Sequence, residues 1–121
     1  MTIKIETKAS NLESGIQKMI DAMCQDYNEW CKIHFKKDKF GEVSIDFRKK
    51  YSERFEIKQG KKYIKIINDN SVKAFIVKED GQYPKGTVLK PASWNLPAKH
   101  SRGNVLEGNY FVSWHGPLYL R

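Results

Sequence analysis

The stretch SNLESGIQKMIDAMCQDYNEWCKIHFK, residues 10–36, decides the fold of this 121-residue chain. Its apolar side chains recur at spacings of three and four from Leu12 to Phe35, which is the period of an amphipathic helix. Ser10 as the N-cap, with Glu13 three residues later, makes a capping-box pattern at the start. The pattern predicts one long helix over residues 10–36, and its apolar stripe must cover a sheet, a partner subunit, or both.

Beyond this helix the apolar period changes to two, which is the period of half-exposed strands. Val43 to Phe47 show it first, and turn residues then separate a series of short apolar segments. These segments predict strands near residues 55–57, 63–67, 72–78, 87–89, 105–106, 110–114 and 118–120. The order predicts an α+β fold in one domain, residues 1–121: a long N-terminal amphipathic helix packed on a mostly antiparallel β-sheet over residues 41–121.

The charge of the chain is positive and unevenly placed. Its 22 Lys and Arg residues outnumber 14 Asp and Glu residues, which gives a net charge of +8. Residues 36–65 hold eleven of the cations against five acidic residues. This asymmetry favours polyanionic partners, although ordinary solubility charge is the alternative. No apolar run approaches the roughly 20 residues that cross a bilayer, and no signal-peptide core is present, so we expect a cytoplasmic protein without membrane contact.

The cysteines and histidines predict neither a disulfide nor a metal site. Cys24 and Cys31 lie about 10 Å apart along the predicted helix axis, which is too far for a disulfide. His34, His100 and His115 show no paired ligand spacing with them or with each other. The chain also lacks a glycine-rich phosphate loop and a nucleophile elbow. We therefore expect a binding protein without cofactor, metal or catalytic residues, and not an enzyme.

The segment KPASWNLPAKHSRGN, residues 90–104, is the main candidate for ligand binding. Two prolines fix φ within it and suit neither a helix nor a central strand, so it is predicted to be a stiff basic loop. Arg102 has the planar fork that grips a phosphate, and Gly103 permits a turn in which backbone amides converge on an anion. The alternative is that its cations are solvated and its indole fills a gap in the core.

Phe75, on the predicted strand 72–78, adds an aromatic ring to this segment. Strict alternation places Phe75 on one face with Lys73 and Val77, where it would stack on a nucleotide base; the alternative is a core position. Trp114 and His115 are candidates to close the same pocket. The predicted ligand-binding residues are Phe75, Lys90, Trp94, Lys99, His100, Arg102, Gly103 and Asn104.

The second half of the chain resembles a set of small tailed-phage proteins. The segments that carry the resemblance are Ser71-Val72-Lys73-Ala74-Phe75-Ile76, Gly86-Thr87-Val88-Leu89-Lys90-Pro91-Ala92-Ser93-Trp94, Pro97-Ala98-Lys99-His100-Ser101-Arg102-Gly103-Asn104 and Gly116-Pro117-Leu118-Tyr119-Leu120. These proteins in turn resemble the type-one Thoeris anti-defence family. That resemblance implies homo-oligomers that sequester cyclic ADP-ribose isomers, and in some members cyclic oligonucleotides, without cleaving them. By position it also implies that Phe75 stacks on the adenine and that Arg102 meets the phosphates.

The leading hypothesis is therefore a phage anti-defence protein that sequesters a cyclic nucleotide immune signal in the cytoplasm of an infected bacterial host. A small basic nucleic-acid-binding phage protein, using residues 36–65, is the first alternative, and its binding would fall steeply with salt. The second alternative is an inhibitor that contacts a host protein directly through the long helix.

Overall fold

The computed structural model describes residues 2–34 and 49–117. Strand β1 (Ile3–Ile5) precedes the long helix α1 (Leu12–His34), and a helical turn at residues 49–53 precedes the remaining strands. These are β2 (Phe55–Gln59), β3 (Tyr63–Asn68), β4 (Ser71–Val77), β5 (Thr87–Pro91), β6 (Pro97–Asn104), β7 (Tyr110–Ser113) and β8 (Gly116–Pro117). All strand pairings are antiparallel within these described residues, so the predicted α+β class is confirmed.

Helix α1 begins one residue later than the capping-box pattern predicts. Asn11 is the N-cap, because its side-chain Oδ1 accepts a hydrogen bond from the backbone N–H of Ser14 at 2.8 Å. The prediction that Ser10 is the N-cap is therefore wrong. Asparagine and serine cap helices equally well, so the sequence alone does not distinguish the two positions. Glu13 still lies in the first turn, where a carboxylate favours the helix dipole.

The strands form two sheets that α1 joins. A five-stranded sheet has the order β2-β3-β4-β5-β6, and a three-stranded sheet has the order β1-β7-β8. The main core is made of apolar side chains from α1 and from both sheets, and each such side chain contributes about 1.5–3 kcal/mol when fully buried. Its members include Met19, Met23, Ile66, Ile76 and Val112, which are all 0% exposed. We call the side of the five-stranded sheet that carries Ile66 and Ile76 the helix face.

The other side of the five-stranded sheet, which we call the open face, carries a second and smaller core. Ile67, Val72, Phe75, Val77 and Leu89 are buried there, and the half-buried Tyr63 and Tyr83 pack against them.

A β-bulge in β4 reverses part of the predicted alternation. The register pairs Ile66 with Ala74 but Ile67 with Val72, so Lys73 is the extra residue. Val72 consequently joins Phe75 on the open face, and the prediction that it shares a face with Ala74 is wrong. Lys73 is directed instead toward α1, where it lines a cavity described below.

The prediction that residues 90–104 form a basic loop is wrong for most of this segment. Strand β5 continues to Pro91, and residues 97–104 form β6, an edge strand of the five-stranded sheet. Pro97 is tolerated because it is the first residue of an edge strand, where its missing N–H removes no necessary ladder bond. Only residues 92–96 form a loop, closed by the backbone N–H groups of Ala92 and Ser93, which both donate to the Leu96 carbonyl.

Most other strand predictions are confirmed to within two residues. The prediction at residues 105–106 is wrong, because Asn104 Oδ1 accepts the backbone N–H of Leu106 at 2.8 Å and holds a turn there. Sequence analysis missed β1 because it has only three residues. The predicted strands at residues 43–47 and 118–120 lie outside the described residues, as do Phe35 and Lys36 of the predicted helix. No helix in the described part of the chain is long and apolar enough to span a bilayer.

Candidate functional site

Trp94 is a large aromatic ring held at the surface by the tight loop between β5 and β6. Its side chain is 44% exposed. The Nζ atom of Lys65 lies 4.7 Å from the centroid of its ring, and that of Lys58 lies 5.9 Å away. Both distances are within the range of a cation–π contact. The indole is thus accessible to solvent and flanked by two cations.

The position of Lys65 follows from the register of the sheet. Lys65 pairs with Phe75 on β4 and with Lys58 on β2, so all three side chains share the open face. Its Nζ lies 5.9 Å from the Phe75 ring centroid and donates a hydrogen bond to Asn95 Oδ1 at 3.2 Å. The ammonium is therefore fixed between two rings and an amide.

The pairing of Lys58 with Lys65 does not help the fold. Like charges directly opposite each other on neighbouring strands are destabilising. Neither lysine forms a salt bridge with any described carboxylate. Among the described residues these two ammonium groups therefore have no carboxylate as a counter-charge.

A cavity of about 320 Å³ continues from these lysines toward the β2–β3 turn. Its described lining includes four lysines and no carboxylate, and lysine ammonium groups are common phosphate ligands. Glu79 and Asp80 line a neighbouring cavity of about 300 Å³ with Lys61 and Lys62, so the described carboxylates lie at that end and none lines the cavity that holds Lys58 and Lys65. We define the basic aromatic face as Lys58, Lys61, Lys62, Tyr63, Lys65, Phe75, Trp94 and Asn95.

Phe75 belongs to this face but is not accessible to a base. It is 2% exposed, and its ring meets that of Tyr63 edge-on at a centroid distance of 5.8 Å. Phe75 therefore occupies a core position, which was the alternative to base stacking. It does share a face with a cation, as predicted, but that cation is Lys65 and not Lys73. The exposed ring available for stacking is Trp94.

Gly103 and Asn104 have structural roles at the end of β6. A side chain at Gly103, where φ is +150°, would collide with Tyr110. The Gly103 N–H donates to Ser101 Oγ at 3.3 Å, and Asn104 Oδ1 accepts the N–H groups of Leu106 and Glu107. These amides therefore already have partners inside the protein, and no converging set of them is directed at an anion here.

The described cations over the Trp94 ring, Lys58 and Lys65, come from outside the segment of residues 90–104. Arg102 is only 8% exposed, whereas Lys99 and His100 are exposed along the edge strand β6. Lys90 is half-buried and acts on His115, whose pKa is lowered mainly by burial and then by Lys73 and Lys90.

Trp114 and His115 do not close this pocket, so that expectation is wrong. The Trp114 ring packs with Tyr27 and Trp30 of α1, and its backbone N–H donates to Asp26 Oδ2 at 2.9 Å. The His115 ring lies 3.7 Å from the Trp114 ring, so both belong to the helix face.

Sequence reasoning missed Lys58, Lys65 and Asn95 as site residues. The excess of cations over residues 36–65 was the available signal for the lysines, but only the register shows which of them meet Trp94. Asn95 lies beside Trp94 in the sequence and offered no signal of its own.

Metal binding has no support from the described side chains. Within residues 2–34 and 49–117 no three His, Cys, Asp or Glu residues are grouped to hold an ion. Cys24 and Cys31 are not joined by a disulfide. Burial and the nearby Asp21 raise the pKa of Cys24 to about 11, so this thiol stays protonated at neutral pH.

The fold and this surface define an α+β protein with an exposed indole set among lysines on the open side of an antiparallel sheet. The chain belongs to a family described as a family of unknown function, DUF7717, whose profile matches residues 3–116. No curated protein and no solved structure matches the chain. The description of the family assigns no ligand, so the resemblance to phage anti-defence proteins stays a prediction.

Proposed function

We propose that this protein binds a nucleotide ligand through the basic aromatic face and holds it without cleaving it. The observation that carries the proposal is the exposed Trp94 ring with the Lys65 ammonium 4.7 Å from its centroid. The base of the nucleotide stacks on the indole, and a phosphate of the same nucleotide contacts the ammonium groups of Lys65 and Lys58. Stacking on an aromatic side chain contributes about 1–3 kcal/mol per base.

Binding without turnover is the better fit to the side chains present. The described lining of the lysine cavity offers ammonium groups, aromatic rings and two amides, but no carboxylate or imidazole to move a proton. A tight complex then depends on how well the face is preorganised. The hydrogen bond from Lys65 to Asn95 provides part of that order.

The ligand class that we place first is a cyclic nucleotide immune signal, a cyclic ADP-ribose isomer or a cyclic oligonucleotide. Sequestration of such a signal in the cytoplasm of an infected bacterial host, by a homo-oligomer, is what the sequence resemblance implies. The site differs from the implied one in that Trp94 replaces Phe75 as the stacking ring, and lysines of β2 and β3 replace Arg102.

A second candidate ligand is single-stranded nucleic acid. It is favoured by the spread of four lysines along β2, the following turn and β3, next to an exposed ring on an open sheet surface. Such surfaces bind single strands through stacking and backbone charge with little sequence preference.

Calorimetry with the full chain tests the proposal and separates the two ligands. The panel contains cyclic ADP-ribose isomers, cyclic dinucleotides and trinucleotides, and a twelve-nucleotide single strand. A single strand that contacts all four lysines should lose about fifty-fold in affinity between 50 and 200 mM salt. A cyclic nucleotide meets fewer cations and should show a much smaller loss.

Trp94→Ala should weaken binding by about tenfold to a hundredfold. The matched control is Leu96→Ala, because Leu96 lies in the same loop and is even more exposed, at 64%. Its affinity should stay within about twofold of the wild type, since surface changes away from a site have small effects. If no member of the panel binds the folded protein, or if both variants bind equally well, the proposal is wrong.

A further inference from the structure

A second cavity, of about 300 Å³, lies on the helix face of the five-stranded sheet. Its position between α1, the helical turn at residues 49–53, β4 and the turn after β7 separates it from the basic aromatic face. Its described lining holds three aromatic residues, three cationic residues, one carboxylate and two neutral polar residues: Tyr27, Tyr51, Trp114, Lys50, Arg54, Lys73, Asp69, Asn68 and Ser71.

The aromatic wall of this cavity is rigid. The rings of Tyr27 and Tyr51 stack at a centroid distance of 4.3 Å, and Trp114 meets Tyr27 edge-on at 5.3 Å. The Tyr51 hydroxyl donates to the Trp114 carbonyl at 2.8 Å, and Asn68 Nδ2 donates to the Tyr51 carbonyl at 2.9 Å. The two hydrogen bonds join three elements and the ring contacts add α1, so the cavity exists before any ligand arrives.

Arg54 and Lys73, two of the cations that line the cavity, differ in how their charges are compensated. Arg54 is paired with Asp69 at 3.1 Å, and both side chains are largely exposed. Lys73 is half-buried, and no hydrogen bond or salt bridge joins its ammonium to a described residue. Burial lowers the pKa of Lys73, and the charge of Asp69 opposes this only in part. A partly desolvated ammonium is destabilising unless an anion lies close to it, and among the described residues Asp69 supplies only part of that compensation.

The β-bulge explains why the charge is there. Without the extra residue in β4, alternation would place Lys73 on the open face with Phe75. Bulges commonly re-aim a side chain next to a functional site. Here the bulge directs an ammonium into a cavity with an aromatic wall.

We propose that this cavity is a second ligand site, which takes a phosphate ester of nucleoside monophosphate size. Lys73 and the guanidinium of Arg54 bind the phosphate, and the ring of the ligand packs against the aromatic wall. The volume is at the lower end of ligand sites, which suits one nucleotide and excludes a larger cyclic oligonucleotide. The proposal is independent of Trp94 and of the function assigned to the basic aromatic face.

Tryptophan fluorescence in a Trp94→Phe background isolates this site. The remaining indoles are Trp114, which is part of the aromatic wall, and Trp30, whose ring centroid lies 5.5 Å from that of Trp114. The probes are adenosine monophosphate, inorganic phosphate and adenosine. We expect a saturable change with the monophosphate, a weaker one with phosphate, and none with adenosine at the same concentrations.

Lys73→Met in the same background should weaken monophosphate binding by at least tenfold, whereas Lys73→Arg should keep most of it. Lys85→Met is the matched control, because Lys85 is an exposed lysine whose structural hydrogen bond uses its backbone carbonyl. The proposal is overturned if Lys73→Met is folded by circular dichroism and binds as tightly as its parent. It is equally overturned if adenosine binds as well as the monophosphate, or if no probe changes the fluorescence.

Discussion

The two faces of the five-stranded sheet bury their apolar side chains in different ways. On the helix face, Ile66 and Ile76 are covered by methionines of α1. On the open face no described helix covers Phe75 and Leu89, and lysine stems and the rings of Tyr63 and Tyr83 lie over them. Long amphipathic side chains can shield apolar surface while their charged ends stay in water. A face that is closed this way remains available to a ligand, whereas the helix face is available only at its cavity.

The largest expected effect is a loss in the free energy of unfolding when an equally buried residue is truncated on each of the two faces. Ile76 and Leu89 are both 0% exposed. Ile76→Ala should lower the free energy of unfolding by about 3–5 kcal/mol, because helix and sheet cannot close the resulting cavity. Leu89→Ala should cost less, about 2–3 kcal/mol, because side chains that no described helix holds in place can collapse into the vacated space.

Urea denaturation at neutral pH measures both changes. Ile57→Ala is a useful reference, since Ile57 is 47% exposed on the edge strand β2 and its truncation should change stability little. If Leu89→Ala costs as much as Ile76→Ala, the two faces are equally rigid and the distinction between them is lost.

A smaller effect is expected from the pair of lysines on the open face. Lys58→Glu replaces a like-charge pair with Lys65 by an opposite-charge pair, which should raise stability by about 0.2–1 kcal/mol. The same change should weaken nucleotide binding, because it removes a cation and adds an anion beside Trp94. Thermal melts and calorimetry on one variant therefore measure both effects.

Lys58→Gln serves as the neutral control, with an intermediate result in both measurements. A variant that lost stability together with affinity would show that the pair of lysines supports the fold and is not kept for ligand binding.

The smallest expected effect concerns the stability of the fold at high pH. Burial lowers the pKa of Lys73 in the folded protein below its ordinary value of 10.5. Below both pKa values the folded state carries the full penalty of the desolvated charge. The penalty disappears as pH rises from the folded-state pKa to 10.5, where both states become neutral.

Lys73→Met should therefore melt a few degrees above the wild type at neutral pH, and the difference should shrink as pH approaches 10.5. Melting curves of both proteins between pH 7 and 10.5 provide the measurement. A difference that grows with pH would have the wrong sign for a desolvated ammonium.

The predictable parts of this protein are those governed by local rules. Helical spacing identified α1 and the stripe that contains Met19 and Met23, because one helix face is buried whatever lies opposite. Turn residues such as Gln59-Gly60-Lys61 separated β2 from β3 for the same local reason. The N-cap was misplaced by one residue because Ser10 and Asn11 are both good caps, and only the backbone geometry chooses between them.

The candidate site was less predictable because it depends on which residues meet across strands. Trp94 was identified from the sequence, but the cations beside it come from β2 and β3, about thirty residues earlier in the chain. Arg102, the cation favoured by the sequence, lies buried instead. A cation's position in the sequence does not determine which ring it faces.

The sequence by itself determined the α+β class, the long amphipathic helix, most of the strands and the excess of positive charge. These follow from periodicity and composition, which each segment carries independently of the others. Only the tertiary structure decided that Lys65 lies against Trp94 and that Lys73 is directed into the cavity beside Trp114. The first depends on strand register and the second on a bulge of one residue, and both are set by the pairing of strands and not by the strands themselves.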